Sequence, residues 1–167
     1  TRHEVCGKQV FGAYLAKLKK IGVTYLANQS AYLVKGEDQI RVTGLHLQKE
    51  YFTKFYEPVT FEIDHLEELI GKKQKEYEVL IAHNPNYLPI YAKWGANVVL
   101  SGHVHGGVVI LPWVGGIIST TFQLFPKYDF GMFEEGNTKM VLSRGLGVHT
   151  IKLRLFNKPE ISVISLK

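Results

Sequence analysis

Cysteine is nearly absent. Cys6 is the only one in 167 residues, so the chain can form no internal disulfide and cannot build a thiolate-based zinc site. Long apolar runs are missing as well. None approaches the roughly 20 residues that a membrane-spanning helix needs, and Thr1-Arg2-His3-Glu4 is not the start of a secretory leader, so the chain as given reads as soluble. There is no internal repeat, low-complexity segment or linker, so residues 1–167 are read as one domain. With 46% hydrophobic and 21% charged residues, composition speaks against disorder and fibre. A compact chain of this size buries roughly 70% of its unfolded surface, enough for a core. The excess of one charge sign is small: 20 basic against 15 acidic residues give +5. That balance favours an anionic partner, but Lys17, Lys19 and Lys20, like Lys72, Lys73 and Lys75, stand near expected helix ends, where cations suit the helix dipole and solvent. No specific nucleic-acid motif accompanies them. Compartment stays open.

What is present is a sequence of helix and strand signals. Val10, Ala13, Tyr14, Leu18 and Ile21 recur at helical spacing before Gly22, which predicts an amphipathic helix. Val23–Leu26 reads as a short strand, and 31–34 with 39–43 as a hairpin about Lys35-Gly36-Glu37-Asp38. Residues 44–57 mix aromatics and lysines without a clean period and read as a loop or a short irregular helix. Asp64 with Glu67 has the form of a helix cap ahead of Leu66, Leu69 and Ile70. Tyr77–Ala82 is almost continuously apolar, as in a strand covered on both faces, and Pro85 stops it. A short helix over 87–94, closed by Gly95, leads to a strand over 97–101. After that come a strand over 108–111, a long loop over 112–131, and three closing strands over 139–143, 150–155 and 160–166.

Two strands separated by a helix form a βαβ crossover, so the strands ending at Ala82 and Ser101 are expected to run parallel and finish on one rim. Open α/β sheets place their chemistry on that rim. His83 follows the first strand directly, and Gly102-His103-Val104-His105-Gly106-Gly107 follows the second. The three imidazoles are expected to converge, and neutral imidazole ligates Zn, Mn or Fe alike. His46, His65 and His149 lack such a setting and are read as structural. Arg144, in the turn Ser143-Arg144-Gly145-Leu146-Gly147, offers a bidentate donor to a phosphate. The aromatics Tyr51, Phe52, Phe55, Tyr56, Trp113, Phe122 and Phe125 are core candidates first and groove-lining candidates second.

The stretches Leu80–Pro85 and Gly102–Gly107, with Phe125-Pro126-Lys127-Tyr128 and Ser143–Gly147 after them, resemble the calcineurin-like metallophosphoesterases. Within that family they resemble a bacterial phosphohydrolase branch whose longer members often begin with a membrane anchor. The resemblance implies an α/β class (an α+β sandwich): a four-layer fold of two β-sheets flanked by helices, of which this chain is a C-terminal portion lacking the N-terminal strands. It implies two divalent metal ions, of unassigned identity among Mn, Fe and Zn, with His83 and His103 on one and His105 on the other. The implied activity is hydrolysis of phosphate mono- or diesters by a metal-activated water. Asn84, directly after His83 in the matching motif, and Arg144 are the substrate-binding candidates. His3-Glu4 stands where the family's catalytic histidine precedes the first helix, with Thr1-Arg2 in place of Gly-Asn, which makes His3 the catalytic candidate.

The family's Asp-x-His and Gly-Asp ligand motifs are absent. Three imidazoles alone give a divalent pair no charge compensation, so the alternative expectation is a catalytically incompetent metal- or anion-binding fragment. The expected partners are a phosphate-ester substrate and either a missing N-terminal segment or a second copy of the chain at the uncovered sheet edge.

Overall fold

The computed structural model describes residues 2–52, 60–107, 109–111, 113, 115–118, 125–147 and 154–166, with the backbone alone for residues 2–8 and 118. The chain opens with helix α1 (Arg2–Lys20) and then the hairpin of β1 (Gln29–Lys35) and β2 (Asp38–Leu45). A 3₁₀ turn at Lys49–Phe52 precedes α2 (Ile63–Ile70), and β3 (Tyr77–Ala82), α3 (Leu88–Trp94) and β4 (Val98–Ser101) follow. The remaining strands are β5 (Val109–Leu111), β6 (Gly115–Ile118), β7 (Gly131–Glu135) and β8 (Thr138–Leu142).

Six strands form one mixed sheet in the order β1-β2-β3-β4-β8-β7, while β5 and β6 pair separately in a small antiparallel sheet. The strands β2, β3, β4 and β8 run parallel, and an antiparallel strand closes each side: β1 against β2, β7 against β8. The architecture is thus α/β with a mixed sheet and a second, smaller one. The register places Ser30, Thr43, Leu80, Val99, Met140 and Phe133 in one row across the sheet. Its four central members are fully buried, in line with the core built from Leu66 and Ile70 of α2 and Leu88, Tyr91 and Trp94 of α3. Gly95, at φ 103°, ends α3 in the left-handed conformation that a side chain resists. The indole Nε1 of Trp94 donates to Gly71 O at 2.9 Å, tying the two helix ends together.

A polar group lies under the same helices. Arg41 Nη1 meets Glu78 Oε2 at 3.1 Å, Thr43 Oγ1 donates to Glu78 Oε1, and Arg41 Nη2 donates to Ser30 Oγ at 2.8 Å. Both charges are buried, so satisfied partners are what make the pair tolerable.

Several elements differ from the sequence-based expectation. Val23–Leu26 pairs with no strand; it lies across β2, so close that a Cβ on Gly44 would stand 2.3 Å from Leu26 O. Asp64 sits inside α2, whose N-cap is Glu62 without a side-chain cap bond. The expected loop over 112–131 contains β6, and β7 was not foreseen, because Glu134 and Glu135 hide the alternation that its hairpin partner β8 shows plainly. Residues 160–166 are irregular rather than a closing strand. Of the expected strand over 150–155 only Arg154 and Leu155 are described, and Leu155 forms an isolated parallel bridge with Val109. The amphipathic stripe of α1 is present but open: Val10, Phe11, Tyr14 and Ile21 are exposed, with Phe11 meeting Tyr25 edge-on.

Candidate functional site

Parallel pairing of β3 with β4 carries Ala82 and Ser101 to the same end of the sheet, and the chain leaves both strands through histidine. His83 O accepts from Gly102 N at 3.4 Å, and Ser101 Oγ donates to Ala82 O, so the two exits are joined by hydrogen bonds. The His83 and His103 rings stand 5.2 Å apart between centroids, inclined at 70°. Phe52, on the 3₁₀ turn, packs against both, 5.9 Å from His83 and 5.0 Å from His103. Burial, and then the neighbouring charge of His105, push the His83 imidazole below the ordinary histidine range. Its neutral, metal-competent form is therefore favoured. His83 and His103 meet as the crossover argument requires.

The loop that carries the second and third histidines is unusual in its backbone. His103 (φ 68°) and His105 (φ 51°) both take the left-handed conformation, as do Gly106 (φ 71°) and Gly107 (φ 84°). For a residue with a Cβ this costs about 1–3 kcal/mol, and such conformations cluster at functional sites. Val104 N donates to Gly102 O and Gly107 N to Val104 O, both at 2.8 Å. The other half of the loop is held from the tail. Asn157 Nδ2 donates to both His105 O and Gly107 O at 2.7 Å, and Arg154 Nη2 reaches Arg144 O at 3.0 Å and His105 Nδ1 at 3.5 Å. Arg154 and Asn157 were missed in the sequence because a period-two apolar pattern drew attention to strands at 150–155 and 160–166. The Asn-Lys-Pro break between them was the available signal.

The other candidates have their own partners. Asn84 is buried, its Nδ2 donating to Tyr51 O and its Oδ1 capping the turn at Asn86 N, so both ends of its amide serve the protein itself. Arg144 is paired: Nε and Nη2 meet Glu160 Oε2 at 2.7 and 2.6 Å, and the guanidinium lies 4.8 Å over the Phe130 ring. Partial burial raises the Glu160 pKa, but the hydrogen bonds from Arg144 and Ser162 outweigh it and hold the carboxyl below its ordinary range. His3 falls within α1 rather than ahead of it, and its side chain lies outside the described residues. His65 stacks on Tyr51 at 5.8 Å and bonds Glu68, a structural setting. Tyr51 and Phe52 pack against the core while Trp113 and Phe125 are exposed; Phe55, Tyr56, Phe122 and His149 lie outside the described residues.

His83 and His103 are the neighbouring imidazoles that could offer nitrogen donors to a cation. Among the described residues, however, no group of three or more His, Cys, Asp or Glu side chains is arranged to hold a metal ion. Beside the rim, between 23–26 and the sheet, a cleft of about 530 Å³ is lined by Tyr25, Leu26, Ile81, His83 and Leu100 among others.

No family model and no solved structure matches the chain. Curated relatives do. The chain is 37% identical over 91 residues to the uncharacterized metallophosphoesterase YkuE of Bacillus subtilis, covering 54% of this chain and 31% of that protein. It is 30% identical over 145 residues to the UDP-2,3-diacylglucosamine pyrophosphatase LpxG of Chlamydia trachomatis, covering 83% and 40%. An uncharacterized metallophosphoesterase of Aquifex aeolicus is 32% identical over 105 residues, covering 62% and 38%. The matched regions thus span well under half the length of these relatives.

Proposed function

We propose that this chain, a homologue of bacterial metallophosphoesterases, supplies the histidine rim of a phosphoester hydrolase. His83 and His103 ligate one divalent cation and His105 a second, while carboxylate ligands come from residues outside this chain. Two divalent ions at such a rim would activate a water and neutralise charge on the phosphoryl oxygens. The chain's own residues favour the neutral His83 imidazole, fix the loop that presents His103 and His105, and wall the site with Phe52. For Arg144 to reach a phosphate, Glu160 has to release it. His3 is the candidate proton donor to the leaving group. The substrate is a phosphate mono- or diester, or a pyrophosphate such as LpxG is named for. The observation that carries this reading is the His83–His103 approach at the ends of two parallel strands.

The test is metal content and hydrolysis of a generic aryl phosphodiester, measured on this chain and on the chain with its preceding segment. Activity that depends on the added segment and disappears with His103→Ala supports the reading. Failure of the longer protein to bind divalent metal overturns it. The lack of the Asp-x-His and Gly-Asp motifs in the sequence favours a second reading, a metal- or anion-binding module without turnover. Stoichiometric metal with no hydrolysis by the longer protein selects that one.

A further inference from the structure

We infer that Asn157 is a positioning residue that sets the His105 imidazole by clamping the left-handed half of the Gly102–Gly107 loop. It rests on the reading of His105 as a metal ligand. The residue is 3% exposed, and its Nδ2 carries two N–H groups that the structure aims at His105 O and Gly107 O. Two carbonyl oxygens, both at 2.7 Å, can be satisfied only by a donor, so the amide orientation follows from its partners. The amides of Val104 and Gly107 bond Gly102 O and Val104 O, so the two Asn157 bonds fall on the other half of the loop. Removing Asn157 would take both bonds from a loop whose residues are already in costly backbone conformations.

The clamp is itself braced on both sides. Two residues before it, Leu155 O accepts from Ile110 N at 3.1 Å; three residues after it, Glu160 pairs with Arg144 and its N–H donates to Gly145 O at 3.1 Å. Gly106 leaves no room for a side chain between them: a Cβ there would stand 2.8 Å from Arg144 Cγ and 3.2 Å from Asn157 Oδ1. Loop, arginine turn and tail thus close on one another around Gly106, and His105 is the ligand candidate attached to that knot. Partners of this kind orient ligating histidines, and their loss commonly costs about 10–100-fold in metal affinity.

Asn157→Asp is nearly isosteric but replaces both donors with an oxygen facing two carbonyls. In the full chain, histidine ring resonances are compared with those of the parent, alongside Co²⁺ affinity. The expected result is a displaced or broadened His105 signal with His46 and His65 unchanged, and Co²⁺ binding weaker by about 10–100-fold. Asn157→Ser, which keeps one donor, should fall between and is read alone if the aspartate variant does not fold. An unchanged His105 signal in a folded variant overturns the inference, whatever the metal result. A parent chain that binds no Co²⁺, yet shows the His105 displacement in the variant, upholds the clamp and counts against the metal reading instead.

Discussion

The two faces of the six-stranded sheet are built from equally apolar strands and meet different surroundings. On the face under α2 and α3, Thr43, Leu80, Val99 and Met140 have no exposed surface. On the opposite face the neighbouring row holds Gly44, Ile81, Leu100, Val141 and Met132, and here Ile81 is 44% and Met132 64% exposed. Tyr77 and Leu33 are open on that face too. Parallel strands read as continuous apolar runs because both faces are meant to be covered. The described residues cover one face well and the other only in part, chiefly through Val23–Leu26 lying across Gly44.

Substitutions on the two faces test this difference. Glu78→Ala is expected to have the largest effect, about 3–5 kcal/mol by chemical denaturation, because it strands the buried Arg41 guanidinium under the helices. Leu80→Ala should follow with about 2–5 kcal/mol of transfer and cavity cost, whereas Ile81→Ala, one residue along the same strand, should cost less than about 1 kcal/mol. Equal losses at 80 and 81 would show that the second face is covered in solution and would break the comparison. Gly44→Ala should destabilise by an amount between these, since its Cβ would meet Leu26 backbone, and should raise protease cleavage at 23–26. A neutral result would mean that this segment does not rest on the sheet.

The smallest effect is expected in the tail, beyond both faces. The folded Glu160 carboxyl titrates below its ordinary value of 4.5, so the unfolded chain takes up that proton first as pH falls. Its contribution to stability is complete above pH 4.5 and is lost as pH falls through the lower folded value. Thermal melts of the parent and Glu160→Gln between pH 6 and pH 3 should therefore converge at the acid end. Parallel curves over the whole range would show that the Arg144 pair adds nothing.

The parallel core was legible in the chain because its signals are local. Tyr77–Ala82 is a run bounded by Pro85, the helix after it is closed by Gly95, and the crossover rule then puts two strand ends side by side. The same rule brings His83 to His103. The hairpin of β7 with β8 was half legible, since its turn at Gly136-Asn137 stood between one clear strand and one masked by glutamates. The segment 160–166 misled, because the apolar pairs Ile161/Val163 and Ile164/Leu166 look the same whether or not a strand edge is free to receive them.

Spacing and chain order alone determined the strand order near the site, the rim on which His83 and His103 meet and the absence of a disulfide. Tertiary structure alone decided that Arg144 is held by Glu160, that Asn84 is spent on Tyr51 and Asn86, and that Asn157 reaches back to His105 O and Gly107 O. The physical reason is range. Periodicity and turn chemistry report on neighbours in sequence, whereas a hydrogen bond across 50 residues depends on where the loop and the tail are finally packed.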